Sequence, residues 1–269
     1  MNAFLAIAEL ELRRMAGGRR TLVLAALLAV AALLAAAVRA WMPPLPGRVG
    51  GWELVFVVLY AVVYLQTLVI LVPLLHATSL IRDDEEEGTL VYLTSRPVPK
   101  PVILLAKMAA LACFSTAVLL AGSLAFQLAF GLAGDEGLPE LGRRWRFMAA
   151  TGLGALVYGS LFALVGLLSQ RGMIFGIVYG FLSEFVLVNV PAIVNRLTVM
   201  HWLRSVAMSG EELPAEVEEA LGFIQLDPNE LAAPATAVPV LLVTAAVCVG
   251  LAMLVISRLE LRGAREETG

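Results

Sequence analysis

Charged side chains are scarce in this chain of 269 residues. They make up 15% of the sequence, hydrophobic residues make up 60%, and the mean hydropathy is +0.87. A soluble globular domain carries about 25% charged residues, so this composition excludes an ordinary soluble protein. The net charge of −3 at pH 7 argues against nucleic acid as a partner, because it gives no excess of positive charge to attract phosphates.

Lysine occurs only twice, as Lys100 and Lys107. Neither lies in a G-x-x-x-x-G-K-[ST] motif, whose backbone amides and lysine cradle the phosphates of a nucleotide. The sequence therefore predicts that this chain is not an enzyme and does not itself hydrolyse ATP.

Histidine is as rare as lysine. His76 and His201 form no H-E-x-x-H or paired-histidine motif of the kind that binds zinc. Both cysteines lie inside apolar runs, so no disulfide framework is implied. Met200, His201 and Met208 could together bind a soft metal, although an ordinary cluster at the membrane surface accounts for them better. We predict no catalytic residue, no metal site and no cofactor in this chain.

Long apolar runs are what the sequence has in abundance. Several exceed 18 residues, the length that crosses about 30 Å of hydrocarbon as a helix. The pattern predicts an all-α integral membrane protein, a single transmembrane domain over residues 1–269. Its six predicted spans cover residues 21–42, 52–75, 102–131, 147–168, 173–194 and 236–257.

The distribution of positive charge predicts the orientation. An even number of spans puts both termini on one side, where twelve Lys and Arg residues fall, against seven on the other side. Positive residues favour the cytoplasmic side, so we predict a cell (inner) membrane protein with cytoplasmic N and C termini. Arg143, Arg144 and Arg146 run against this bias. Residues 195–235 become the longest extracytoplasmic segment, and residues 197–204 are expected to form a short helix lying at the outer surface.

The first 20 residues have the pattern of an amphipathic helix. Four apolar residues recur at helical spacing on one face: Leu5, Ala8, Leu12 and Met15. Glu9 and Arg13 form an i,i+4 pair on another face. Such a helix can lie in the membrane interface, and the alternative is a solvated cytoplasmic helix.

The most polar interruption between two predicted spans covers residues 80–107. Five acids in a row, at 83–87, precede Gly88, which permits a sharp change of direction. Consecutive acids point in all directions on a helix and do not converge on a metal. An apolar patch at Leu90, Tyr92 and Leu93 follows, and apolar residues on a water-facing loop usually mean contact. Prolines at 97, 99 and 101 stiffen the return into the third span, where Lys107 is expected to extend to the membrane surface.

Small residues and one acid mark the fifth predicted span. Gly172, Gly176 and Gly180 repeat every fourth residue, a stripe that lets helix backbones approach closely. Glu184 lies near the middle of the span, where a carboxylate facing lipid costs about 2.5–3.5 kcal/mol on insertion scales. It is expected to face protein or a wet cavity with Asn189 nearby, either lining a pathway or interface or as a hydrogen-bonded structural acid.

This order of features resembles the permease subunit of the ABC-2 family of ABC transporters, the transmembrane domain of type V-like exporters. That family has an amphipathic N-terminal elbow helix, six spans and a first inner loop with a recurring pattern. The matching positions here are Asp84, Gly88, Thr89, Leu90, Leu93, Arg96, Pro97, Val98, Lys100, Ala106 and Lys107. Asp84 replaces the commoner Glu, and Ala106 replaces Gly.

The resemblance implies that the loop is a coupling helix seated in a groove of a separate cytoplasmic ABC ATPase subunit, which holds ATP and Mg. The loop residues expected at this contact are Asp84, Gly88, Thr89, Leu90, Tyr92, Leu93, Arg96 and Pro97. The resemblance also implies a dimer with a second permease copy, and export as the direction. The alternative is a non-transporting membrane scaffold or sensor that docks a soluble partner through the acidic loop.

Overall fold

The structure is a computed structural model, and it describes residues 3–41, 51–78, 80, 99–133, 141–169, 171–182, 195–208 and 231–266. Every regular element in these ranges is a helix, which confirms the all-α class over them. In chain order the helices are α1 (Ala3–Gly17), α2 (Arg19–Trp41), α3 (Gly51–Leu59), a π-helical segment (Tyr60–Leu68), α4 (Val69–Ala77), α5 (Lys100–Leu132), α6 (Leu141–Leu168), α7 (Gly172–Phe181), α8 (Val199–Met208) and α9 (Pro234–Glu266). A 3-10 turn at Asn195–Leu197 precedes α8.

Within the described ranges, five helical stretches are long and apolar enough to cross a membrane. They are Arg19–Trp41, Val55–Ala77, Lys100–Leu132, Arg144–Leu168 and Pro234–Arg258. Their ends differ from five of the predicted spans by no more than three residues. The remaining predicted span, 173–194, coincides with α7 over its first part, and residues 183–194 lie outside the described residues. The six-span arrangement therefore stays a prediction.

The second span is interrupted at its centre by the π-helical segment, which is nine residues long. Such segments are rare and are found frequently at functional sites. Three of its polar side chains are buried, and each bonds to a neighbouring helix: Tyr60 to α5 and α6, Tyr64 to α5, and Gln66 to α8. The fourth, Thr67, is exposed and donates to the carbonyl of Val62 within the segment. The segment therefore joins three other helices of the bundle.

Helix α6 is central, because α4, α5, α8 and α9 all pack against it. The centre of the bundle holds five buried aromatic rings whose neighbouring centroids lie 4.6–6.4 Å apart: Phe56, Tyr60, Tyr64, Phe126 and Phe147. Lipid tails are as apolar as these rings, so the cluster stabilises a membrane bundle by close packing rather than by exclusion of water. Well-oriented ring pairs contribute about 0.5–1.5 kcal/mol each.

The glycine stripe of α7 faces the rest of the chain. A Cβ atom added at Gly172 would lie 2.8 Å from the Cα of Gly166 in α6, and one added at Gly180 would lie 3.2 Å from the side chain of Ile70 in α4. Gly176 meets α4 and α6 in the same way. The structure thus places the stripe in packing within one chain. The opposite face of α7 is exposed and apolar, with Met173, Ile174, Phe175, Ile177 and Val178.

Helix α8 overlaps the short helix that the sequence predicts over residues 197–204, and it is buried against other helices of the bundle. Nine of its ten residues are buried, Trp202 being the exception. Its N-terminus is capped by Thr198, whose hydroxyl accepts a hydrogen bond from the amide of His201 (3.2 Å). Leu203 packs at Gly154 of α6, where an added Cβ would lie 3.1 Å from it. Contacts with α6 and α9 cover the helix, and its position at the outer surface of the membrane stays a prediction.

Candidate functional site

The structure describes the two ends of the predicted coupling loop, while residues 81–98 lie outside the described residues. That range contains every residue predicted to contact an ATPase: Asp84, Gly88, Thr89, Leu90, Tyr92, Leu93, Arg96 and Pro97. Leu80 at its start and Pro99 at its end are described. The contacts that hold these two ends define the candidate site, which we call the loop base.

The outgoing end of the loop is fixed to α6. The amide of Leu80 donates to the carbonyl of Ala77 (3.3 Å), and the hydroxyl of Thr78 donates to the carbonyl of Leu74 (2.8 Å). The backbone of Thr78 lies on Gly166, where an added Cβ would be 2.7 Å from the carbonyl oxygen of Thr78 and 2.9 Å from its Cα. Because these are backbone atoms, only glycine allows this approach.

The returning end of the loop becomes a helix at once. α5 begins at Lys100 after an extended Pro99 (φ −57°, ψ 133°), and Pro101 lies in its first turn. First-turn amides have no partner within a helix, so proline loses nothing there. The amides of Val102 and Ile103 donate to the carbonyl of Pro99 at 2.9 and 3.3 Å. Two of the prolines that were expected to stiffen the return thus form the rigid start of a 33-residue helix.

Lys107 joins the two ends. Its ammonium donates to the carbonyl oxygen of Leu80 (3.0 Å) and lies 3.1 Å from a carboxylate oxygen of Glu11 in α1. The Lys107 side chain is 3% exposed, so the expectation that it extends to the membrane surface is wrong. The physical reason is that α1 packs along α5 and covers it. A buried ammonium costs several kcal/mol unless it is paired, and Glu11 supplies the pairing charge.

The buried face of α1 includes most of the predicted one, because Met15 is buried, Leu12 packs against the core and Ala8 is half-buried. Glu11 and Met15 are its buried residues, whereas Leu5 on the predicted apolar face is 59% exposed. Leu10 is also exposed, and the Glu9–Arg13 ion pair (2.6 Å) lies on the outside of the helix. The sequence pattern missed Glu11, because an acid among apolar residues counts against a buried face until its partner is known.

A second polar cluster lies inside the bundle, and it is built from neutral groups except for Arg144 at one end. The hydroxyl of Tyr60 is 2.5 Å from that of Ser123 and 2.9 Å from that of Thr151. The side-chain amide of Gln127 donates to the Ser123 oxygen (3.0 Å), and the guanidinium of Arg144 donates to the Gln127 carbonyl oxygen (3.0 Å). This chain of bonds, which we call the span network, links the π-helical segment to α5 and α6. It satisfies polar groups that would be costly in hydrocarbon.

Two arginines predicted on the outer side pack against span side chains. Arg144 is the end of the span network, and the guanidinium of Arg39 lies 3.9 Å from the ring centroid of Trp52 and 5.6 Å from that of Phe130. Such cation–π contacts contribute about 0.5–2 kcal/mol. These contacts with span side chains explain the presence of Arg39 and Arg144 at helix ends on the predicted outer side.

Arg204 of α8 is a further buried cation. The guanidinium of Arg204 in α8 donates to the side-chain carbonyl of Gln66 (3.0 Å), and both residues are buried. His201 stacks edge-on against Trp202 with centroids 5.2 Å apart. Among the described residues, no three His, Cys, Asp or Glu side chains form a group that could hold a metal ion.

An apolar cavity of about 340 Å³ opens between α5, α6 and α9. Its walls are almost entirely aliphatic, with Ser160 as a polar exception, and Phe4 of α1 closes one side. A cavity with these walls suits the acyl chain of a lipid and offers nothing to a charged ligand. Glu184 and Asn189, predicted to line a pathway or interface, lie outside the described residues.

Comparison with known proteins identifies a family that this sequence matches. A search of curated proteins finds no relative of this chain. The sequence pattern of a family described as ABC-2 family transporter protein matches residues 18–187. The match runs from the start of α2 through the coupling-loop range and α7, whereas α1, α8 and α9 lie outside it.

The matched range is well over half of the chain and contains four of the five span-length helices. It also contains Lys107 and both ends of the loop. The chain is thus a membrane protein and a membrane transport component, and it belongs to the ABC-2 family of transporter proteins.

Proposed function

We propose that this chain is the membrane-spanning permease subunit of an ABC transporter. It dimerises, couples through the loop at 81–98 to a separate ATPase subunit, and moves its substrate by alternating between conformations, in the direction of export. The observation that carries the proposal is the family match across the loop. The loop base supports it, because both loop ends are fixed to span helices and a push on the loop is passed on rather than absorbed.

The partners follow from this role. A cytoplasmic ABC ATPase supplies ATP and Mg, and this chain carries no cofactor of its own. A second copy of the chain completes the translocation path, with Glu184 and Asn189 at the path or at the interface between copies. Membrane lipid surrounds the exposed apolar faces of α2, α7 and α9.

The proposed location is the cell membrane, with cytoplasmic termini and residues 195–235 outside. Single cysteines introduced at residues 100 and 216, in a chain whose own cysteines are replaced, should label from opposite sides of sealed vesicles. Labelling from the same side would contradict the six-span arrangement.

The functional test is capture of the ATPase by the full-length chain in detergent. The candidate is a soluble P-loop ATPase encoded next to this protein, and the readout is co-purification and ATP hydrolysis of the pair. We expect Leu93→Asp to abolish capture, because a charge forced into an apolar contact is costly. Ser95→Asp is the matched control, since it adds the same charge to the loop outside the apolar patch, and it should retain capture.

Two outcomes would contradict the proposal. If the unmodified chain captures no ATPase, it does not act as the permease of such a pair. If it captures a soluble partner that hydrolyses no ATP, the scaffold alternative is correct. Equal capture by Leu93→Asp and the unmodified chain would place the contact elsewhere on the protein.

A further inference from the structure

Three parts of the chain meet at the ammonium group of Lys107. One is α5, which carries it; the second is the outgoing end of the loop, through the Leu80 carbonyl (3.0 Å); the third is α1, through Glu11 (3.1 Å). From these contacts we infer that Lys107 is a positioning residue that makes α1 move with the coupling loop. This inference rests on the proposed function and extends it to a helix outside the family match.

The chemistry of the side chain suits this junction. An ammonium has three donors in a compact group, so it can bond a carbonyl and a carboxylate on separate segments at once. A planar guanidinium spreads its donors in a rigid fork and does not replace a lysine at such a point. Lys107 is one of only two lysines in the chain, against 17 arginines.

Burial makes the junction hold as a unit. The Lys107 side chain is 3% exposed and the Glu11 side chain is 10% exposed. Separating them would leave an uncompensated charge away from water, which is strongly unfavourable. When the Leu80 end of the loop shifts, the least costly response is for α1 to follow.

Helix α1 in turn is tied to the first span. The amide of Gly18 donates to the carbonyl of Met15 (3.3 Å), and the hydroxyl of Thr21 donates to the same carbonyl. Met15 is buried beside these bonds. Motion of the loop base is thereby passed through α1 to the beginning of α2, a second route into the membrane besides α4 and α5.

The test follows the environment of α1 in the assembled complex. A cysteine at Leu10, which is 66% exposed, carries an environment-sensitive fluorophore in a full-length chain whose native cysteines are replaced. The complex with the ATPase is placed in lipid vesicles, and fluorescence is recorded before and after addition of a non-hydrolysable ATP analogue. This readout requires no knowledge of the substrate.

The unmodified chain should show a nucleotide-dependent change in fluorescence. Glu11→Gln keeps the shape of the side chain but removes the charge, and it should reduce that change several-fold while ATPase capture persists. Glu9→Gln is the matched control: it removes a carboxylate from the same helix, at the exposed pair with Arg13, and it should leave the change intact. Lys107→Arg serves as a second variant and should also reduce the change.

An unmodified chain that captures the ATPase but shows no fluorescence change would overturn the inference and leave the proposed function standing. The same holds if Glu11→Gln and Lys107→Arg respond like the unmodified chain. Failure of the unmodified chain to capture any ATPase would contradict the proposed function itself, so the two failures are distinguishable.

Discussion

The loop base and the span network are both buried polar clusters, but they are built from different chemistry. The loop base pairs two full charges, Lys107 and Glu11, across segments far apart in sequence and adds a backbone carbonyl. The span network uses the hydroxyls of Tyr60, Ser123 and Thr151 and the amide of Gln127. It has a charge only at its Arg144 end.

This difference indicates which cluster is suited to hold segments together during a conformational change. Neutral hydrogen bonds inside a membrane contribute on average only about 0.6 kcal/mol each, so the span network orients helices that packing already holds. A buried ion pair depends strongly on both partners, so the loop base is the cluster suited to hold its segments together during the proposed motion.

Lys107→Met should have the largest effect. It leaves the Glu11 carboxylate buried without its lysine partner, and removing one member of a buried pair costs about 3–5 kcal/mol. The free energy of unfolding of the detergent-solubilised protein is the measurement. Arg13→Met, which disrupts an exposed pair on α1, should change that free energy by less than about 0.5 kcal/mol. Equal effects would show that burial of the pair is unimportant.

Gly166→Ala should have the next largest effect. The new methyl group would meet the Thr78 backbone at 2.7–2.9 Å, and overpacking of this kind costs about 1–3 kcal/mol. Gly159→Ala on the same helix is the control, because its nearest contact would be an ordinary 3.8 Å from Leu111. A chain that tolerates both substitutions equally would argue against a fixed outgoing end of the loop.

Tyr60→Phe should have the smallest effect of the three. It removes one hydroxyl from the span network but keeps the packed ring, so the expected loss is about 0.6–1.7 kcal/mol. Unfolding under the same conditions measures it. A loss as large as that of Lys107→Met would reverse the comparison between the two clusters.

The spans could be predicted because the thickness of the hydrocarbon layer sets the number of apolar residues that a spanning helix needs. The short α8 helix was predicted too, but its burial was not, since its ten residues are too short for a span and include Arg204 and His201. Burial of that helix depends on Gln66 and Gly154, which lie far away in sequence.

The sequence predicted where the coupling loop lies along the chain, but not the contacts that form the loop base. Lys107 was expected to extend to the membrane surface because it lies close to the inner end of the third span. Nothing in the neighbouring sequence showed that α1 covers it. The π-helical segment was likewise not predicted, because its residues have the composition of any apolar helix.

The most direct test of the account is a double-mutant cycle on the free energy of unfolding with Glu11→Gln and Lys107→Met. If the two side chains form one buried pair, the double variant should lose less stability than the sum of the two single losses, by about 0.5–3 kcal/mol. Losses that add within about 0.5 kcal/mol would mean that the two side chains act independently, and that α1 is not held to the loop base by this pair.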